Sequence, residues 1–311
     1  MSLEPLKRLL SKELSDVESC LKKVLKQETQ LSIQEINDYL IATPGKRIRP
    51  TLVILAFKAV YGTKKVDPKL YNELIQIATA IECIHMASLI HDDVIDHAPI
   101  RHKKPSIYAK WGTEVAIPMG VYLYSISLKL ITKSGRLDCL NIISHAVKLL
   151  CAGELTQVLD RGKLIEIPHY LAILKKKTGI LFAASTQCGA ILAGTTKQDQ
   201  YKLKHYGSYL GLSFQIIDDV MDILGNESEL KKTPGQDLDL GELTLPLLLL
   251  LEKTPETEKN DLINQIFSEN TEEKLSLLKE KLIASNWALP ESERIAISYL
   301  DRAYSELSIL K

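Results

Sequence analysis

Apolar positions recur three and four residues apart through most of the chain, and no stretch of useful length alternates with a period of two. The spacing predicts an amphipathic helix over residues 3–26, with charges of both signs on its polar face. A shorter helix is predicted over residues 32–40, where Ser32 followed by Glu35 has the capping-box spacing. Thr43-Pro44-Gly45 breaks the chain, and Pro50 suits the first turn of a helix over residues 51–61 that stops at Gly62. Asp67-Pro68 opens a long helix that runs to Asp96. A basic loop, residues 97–106, is bounded by Pro99 and Pro105, and further helices follow over 114–133, 139–161, 167–193 and 198–224. The polar, Gly-, Lys- and Asp-rich segment 225–244 reads as a long functional loop, and two or three amphipathic helices close the chain. The pattern is all-α. No linker, repeat or low-complexity tract divides it, so residues 1–311 are expected to form one domain, a single large helical bundle.

The long helix to Asp96 contains IECIHMASLIHDDVID, residues 81–96, apolar enough to be buried and ending in three carboxylates. Asp92, Asp93 and Asp96 are spaced to project from one face of one helical turn. Like charges crowded on an apolar helix repel and need cations, and an all-oxygen cluster suits Mg²⁺ that also grips a phosphate. A solvated acidic face is the plainer reading of one such turn. A second copy shifts the balance: SFQIIDDVMDIL, residues 213–224, repeats the spacing with Asp218, Asp219 and Asp222. Two acidic turns in two apolar helices read as two walls of one metal site. Calcium in an EF-hand loop is excluded, because the Gly and terminal Glu of that loop are missing.

Composition narrows the class. Lys+Arg and Asp+Glu both number 39, so global charge points to neither nucleic acid nor a membrane surface. Five scattered cysteines without CxxC spacing suggest reduced thiols and a cytoplasmic setting. The charged N-terminal stretch lacks signal-peptide character, and the longest uninterrupted apolar tract, residues 243–251, is too short to cross a bilayer. No transmembrane segment is expected.

Basic groups stand where loops meet helices. Lys46, Arg47 and Arg49 precede the helix that begins near Pro50, and helix N-termini with such neighbours make anion sites. Arg101, His102, Lys103 and Lys104 follow the first acidic turn, Lys175-Lys176-Lys177 precede Thr178, and Lys231-Lys232 follow the second. Each cluster alone reads as a solvated surface. Beside two acidic turns, they suit a site that holds diphosphates both directly and through Mg²⁺.

GKRIRP, ECIHMASLIH-DDVID, Arg101, GELTQ at residues 153–157, KKKTG, FQIIDDVMD and KTPGQDL followed by TLP occur in the order seen in trans-isoprenyl diphosphate synthases. The chain resembles that family from about Gly45 to Pro246, and most resembles its bacterial long-chain polyprenyl members, including the catalytic component of heptaprenyl diphosphate synthase. The resemblance implies an isoprenoid-synthase-type bundle with a central active-site cavity. It implies condensation of isopentenyl diphosphate with an allylic diphosphate, farnesyl or geranylgeranyl, to give a long all-trans product. Asp92, Asp93, Asp96, Asp218, Asp219 and Asp222 would hold Mg²⁺, three ions in all, together with the allylic diphosphate. Arg101, Lys177 and Lys232 match positions that grip that diphosphate. Lys46, Arg49 and His85 match those that hold isopentenyl diphosphate, with His102 beside them. Thr178 and Gln215 sit, with Lys177, where the family presents groups to the developing cation. His85 also has a plain reading as a satisfied core histidine.

Ala87 and Ser88, one turn before Asp92, are small, and a large aromatic there would block a growing chain. A long product is therefore expected, with a deeper floor set by a bulky side chain on residues 122–131. The chain departs from the family pattern at His102, where an arginine is usual, at Val121 for Asp, at Glu242 for Lys, and at Pro44 for Gly. A homodimer is expected, with a small regulatory subunit as a further partner. The rival readings are a regulatory subunit of a heteromeric synthase, a shorter-chain farnesyl or geranylgeranyl synthase, and a terpene cyclase that needs no isopentenyl diphosphate site.

Overall fold

The computed structural model describes residues 4–43, 45–224, 235–268 and 271–310. The first helices are α1 (Glu4–Leu9), α2 (Ser11–Leu25), α3 (Leu31–Ile41), α4 (Ile48–Tyr61) and α5 (Pro68–Ile95). A two-stranded hairpin follows, β1 (Ile100–Arg101) with β2 (Lys104–Pro105), then α6 (Ile107–Trp111), α7 (Thr113–Ser134) and α8 (Leu137–Leu159).

 The helix α8, Leu137–Leu159, leads to α9 (Ile167–Leu174), a single π turn (Lys175–Gly179), α10 (Ile180–Leu192) and α11 (Lys197–Leu224). The chain closes with α12 (Gln236–Asp239), α13 (Leu245–Lys253), α14 (Glu256–Ile266), α15 (Thr271–Ser285), α16 (Ala288–Glu306) and a 3₁₀ turn (Leu307–Ile309). The protein is all-α, and the hairpin is the one sheet among the described residues.

Local chemistry accounts for some helix ends. Asp67 caps α5 by accepting from the backbone N–H groups of Lys69 and Leu70, with Pro68 in the first turn. Gly62 ends α4 with a φ of 73°.

Other ends differ from the sequence expectation. The first helix breaks at Leu10, which is fully buried. Ser32 lies inside α3 and caps nothing. The carboxylate of Glu28 instead accepts from the N–H groups of Thr29 and Gln30, at 2.8 and 3.1 Å. The expected helix over 167–193 is interrupted by the π turn, and four helices rather than two or three close the chain. The basic loop folds into the hairpin, with Ile100 opposite Pro105 and Arg101 opposite Lys104. Its two turn residues, His102 and Lys103, have φ of 54° and 63°, the left-handed pair that a two-residue hairpin needs. The proposed functional loop before residue 235 lies outside the described residues.

The chain folds as two compact units, Met1–Val147 with Leu181–Gly207 and Leu307–Lys311, and Lys148–Ile180 with Ser208–Glu306. The division falls inside the continuous helices α8 and α11, where no loop composition could mark it. In the first unit the fully buried side chains Phe57, Leu74, Ile77, Ile81, Ile84 and Leu123 join α4, α5 and α7. In the second, α13 is buried from Leu245 to Leu251 and packs with Leu212 and Ile216 of α11, Leu278 and Leu282 of α15 and Ala296 of α16.

Among the described residues three helices, α5, α7 and α8, are long and apolar enough to cross a membrane by length and composition. Uninterrupted tract length missed them because a few polar residues divide each one. The most apolar window of α5 is 83% buried inside the protein, against 44% for α7 and 28% for α8.

Candidate active site

In the first unit, α5 carries both a basic and an acidic station. His85 and Asp92 are seven residues apart, two turns, so they share a face about 10 Å apart along the axis. At the first station, Arg49 donates from Nη1 to His85 Nε2 at 2.8 Å. Burial and the cations Arg49, Arg101 and Arg47 hold the His85 imidazole well below its usual pKa, so it is neutral and can accept that bond. Burial lowers Arg49 to about 10, opposed by Glu82 and Asp92, so it stays charged at neutral pH. Its guanidinium lies 5.0 Å from the Phe182 ring, and its Nε is buried with no hydrogen-bond partner, a donor left for an anion. Lys46 is exposed beside it.

Arg47 holds this turn in place. It takes the left-handed conformation, φ 55°, and donates to Glu18 of α2 at 2.5 Å and to Glu82 of α5 at 2.8 Å. Glu82 is 2% exposed. Sequence reasoning missed Glu82, although an isolated carboxylate in the apolar run before His85 was the signal for it.

At the acidic station the three aspartates do not share one environment. Asp93 is turned inward and accepts from Arg101 Nε at 2.8 Å and Nη2 at 2.5 Å, while Asp92 and Asp96 lie half-buried one turn apart. Burial raises the Asp93 pKa against the pull of Arg101. The left-handed turn at His102 and Lys103 carries Arg101 back onto Asp93, so Arg101 joins the acidic turn itself. His91, next to Asp92, bonds the Ile117 carbonyl at 3.1 Å and lies over Gly120, where a Cβ would come within 2.1 Å of its ring. Ala87 and Ser88 are buried, and the Ser88 hydroxyl donates to the His85 carbonyl at 2.9 Å. Farther along α5, a cavity of about 540 Å³ is lined by Tyr71, Ile75 and Gln76 with Tyr122, Ile126 and Lys129 of α7.

In the second unit the π turn presents Lys177 and Thr178. The ammonium of Lys177 pairs with Glu154 of α8 at 2.8 Å. Thr178 Oγ1 donates to Gln215 Oε1 at 2.9 Å, and Gln215 Nε2 donates to Asp219 Oδ1 at 2.8 Å. The other oxygen of Asp219 accepts from the Tyr170 hydroxyl at 2.6 Å. Asp218 is exposed, whereas Asp222 is fully buried and accepts from the Asp237 N–H at 3.3 Å. Glu242 accepts from Arg161 at 2.8 Å and from Gln157, and burial lifts its carboxyl to about 7. Tyr170 and Arg161 carry no motif spacing, so nothing in the sequence pointed to them. Lys232 lies outside the described residues.

Among the described residues no three carboxylate, imidazole or thiol groups gather closely enough to hold a metal ion. The donor chemistry of the two turns nonetheless fits a hard cation, because every ligand they offer is a carboxylate oxygen.

Comparisons with known proteins identify the family. The polyprenyl synthetase family pattern matches residues 30–282. Heptaprenyl diphosphate synthase component 2 of Bacillus subtilis is 34% identical over 302 residues, covering 97% of this chain and 83% of that protein. Octaprenyl diphosphate synthase of Escherichia coli is 35% identical over 249 residues, covering 80% and 75%. A polyprenyl synthase from Caulobacter crescentus, solved with calcium and isoprenyl diphosphate, superposes with a TM-score of 0.91 at 29% identity over 99% of this chain and 92% of that one. Matched family, sequence relatives and fold agree, and the chain belongs to the polyprenyl synthetase family of prenyltransferases.

Proposed function

We propose that the protein is a Mg²⁺-dependent synthase that condenses isopentenyl diphosphate with an allylic diphosphate and elongates it to a long all-trans polyprenyl diphosphate in the cytoplasm. The observation that carries this reading is the pair of stations on one face of α5, an anion site at Arg49 and His85 two turns from the aspartates at 92–96. An enzyme that ionises a single substrate needs the second station alone. A condensing enzyme needs both, held close together.

Lys46, Arg49 and His85 bind the isopentenyl diphosphate, with the orphaned Nε of Arg49 as one donor and His102 beside them. Arg101, Lys177 and Lys232 bind the allylic diphosphate and offset the charge that grows on it as its C–O bond breaks. Asp92, Asp93, Asp96, Asp218, Asp219 and Asp222 would hold Mg²⁺, three ions with the substrate diphosphate, and the bound metal would supply Lewis-acid stabilisation of that leaving group. The Thr178 hydroxyl is oriented by its bond to Gln215, which keeps its lone pairs free to face the allylic cation. The isopentenyl double bond attacks that cation, and the released diphosphate accepts the proton then lost.

Ala87 and Ser88 leave room for the growing chain, and Tyr122 and Ile126 of α7 set the floor. The name component 2 carried by the Bacillus subtilis relative, and by another from Geobacillus stearothermophilus, supports a heteromer with a second, different chain alongside a homodimer. The test is incubation of the purified chain with Mg²⁺, radiolabelled isopentenyl diphosphate and farnesyl diphosphate, followed by sizing of the dephosphorylated products. A ladder ending at a long polyprenol is expected. Release of diphosphate from farnesyl diphosphate without incorporation would overturn the condensing reading.

A further inference from the structure

Tyr170 has no part in the motifs, yet its hydroxyl lies 2.6 Å from Asp219 of the second acidic turn. It projects from α9 into the core of the second unit, 4% exposed, among Leu174, Leu212, Ile216 and Leu245. A phenol so deeply buried needs hydrogen-bond partners. Its hydroxyl donates to Asp219 Oδ2 at 2.6 Å, and the ring packs in one cluster with Leu245, the first residue of α13. On the other side, Gln215 donates to Asp219 Oδ1 at 2.8 Å and is itself held by Thr178. Asp219 thus has one fixed donor on each oxygen, which sets the plane of its carboxylate and the direction of its remaining lone pairs.

We propose that Tyr170 is a positioning residue, which aims Asp219 at a divalent cation and ties the second acidic turn to α9. The inference rests on the proposed synthase reading and adds a residue to it. A donor on each oxygen fixes the carboxylate plane more tightly than a donor on one. With both donors in place, the cation meets a ligand already oriented, and little ordering is left to be done when it binds.

The experiment compares the protein with Tyr170→Phe, which keeps the ring and its packing and removes only the hydroxyl. Mn²⁺ binding in the presence of inorganic diphosphate is followed by electron paramagnetic resonance, alongside steady-state kinetics over a range of Mg²⁺ concentrations. Tyr170→Phe is expected to weaken Mn²⁺ binding about tenfold and to move Mg²⁺ activation to correspondingly higher concentration, the loss of one charge-assisted hydrogen bond. KM for isopentenyl diphosphate should not change. Tyr209→Phe, a second tyrosine of this unit stacked on Tyr299, should leave Mn²⁺ binding as it is. A Tyr170→Phe protein with unchanged Mn²⁺ affinity overturns the inference, even if its melting temperature falls. Absence of any prenyl transfer by the unsubstituted protein would instead count against the synthase reading, and the Mn²⁺ titration would still decide the role of Tyr170.

Discussion

Burial, more than residue type, sets what individual groups do. His85 is neutral because it is buried, and buried among cations, whereas Arg49 remains charged despite desolvation. Glu242 is the clearest titrating group. Its carboxyl lies at about 7 instead of 4.5, burial being the main cause. A raised acid binds its proton more tightly in the folded state, so its contribution to stability is full below pH 4.5 and is lost as pH rises through 7. The loss amounts to about 3 kcal/mol across that window. Glu242→Gln should therefore flatten the pH dependence of the melting temperature between pH 5 and 8, read by circular dichroism. Ser88 makes a steric prediction. It is buried one turn before Asp92, so Ser88→Phe should shorten the longest product by several isoprene units while leaving the first condensation intact, as product sizing would show.

At the scale of elements, the π turn is the decisive departure from regular helix. Five residues, KKKTG, fill a wider turn that carries Lys177 to Glu154 and Thr178 to Gln215. Such turns often mark functional sites. The turn is packed tightly against α8 at Gly153, where a Cβ would lie 2.7 Å from the backbone nitrogen of Lys177. Backbone cannot swing aside as a side chain can. Gly153→Ala should cost about 1–3 kcal/mol by overpacking, measured by urea denaturation, and should lower kcat more than tenfold by displacing Lys177 and Thr178. The hairpin after α5 works in a comparable way. Its left-handed residues have no glycine to ease them, and the strain is spent in returning Arg101 to Asp93.

At the scale of the molecule, α7 keeps an uncovered apolar face. Ile117, Val121 and Leu128 are 46%, 57% and 52% exposed. Helical spacing places Ile117, Val121 and Leu128 on one side, and such a stripe suits contact with a second copy. Val121→Lys should convert a homodimer to monomer in sedimentation velocity at micromolar concentration. An unchanged sedimentation coefficient would place the interface elsewhere. The same uncovered face explains why α7 reaches the length and apolar content of a membrane span although much of it lies outside the core.

The sequence by itself determined the helices and the stations of chemistry upon them. Periodicity, caps such as Asp67 and stops such as Gly62 act over a few residues, and the spacing of the aspartates is a property of one turn. It also located the basic groups beside those turns, since helix starts and prolines mark where loops meet helices. The tertiary structure decided what spacing cannot: that Asp93 turns onto Arg101, that Asp219 is held by Tyr170, that Glu242 is buried against Arg161, and that a π turn interrupts the helix before α10. Each depends on a partner distant in sequence or on the loss of water, and neither burial nor a long-range partner leaves a local pattern in the chain. The division into two units followed the same rule, because it runs through helices whose residues read the same on either side of it.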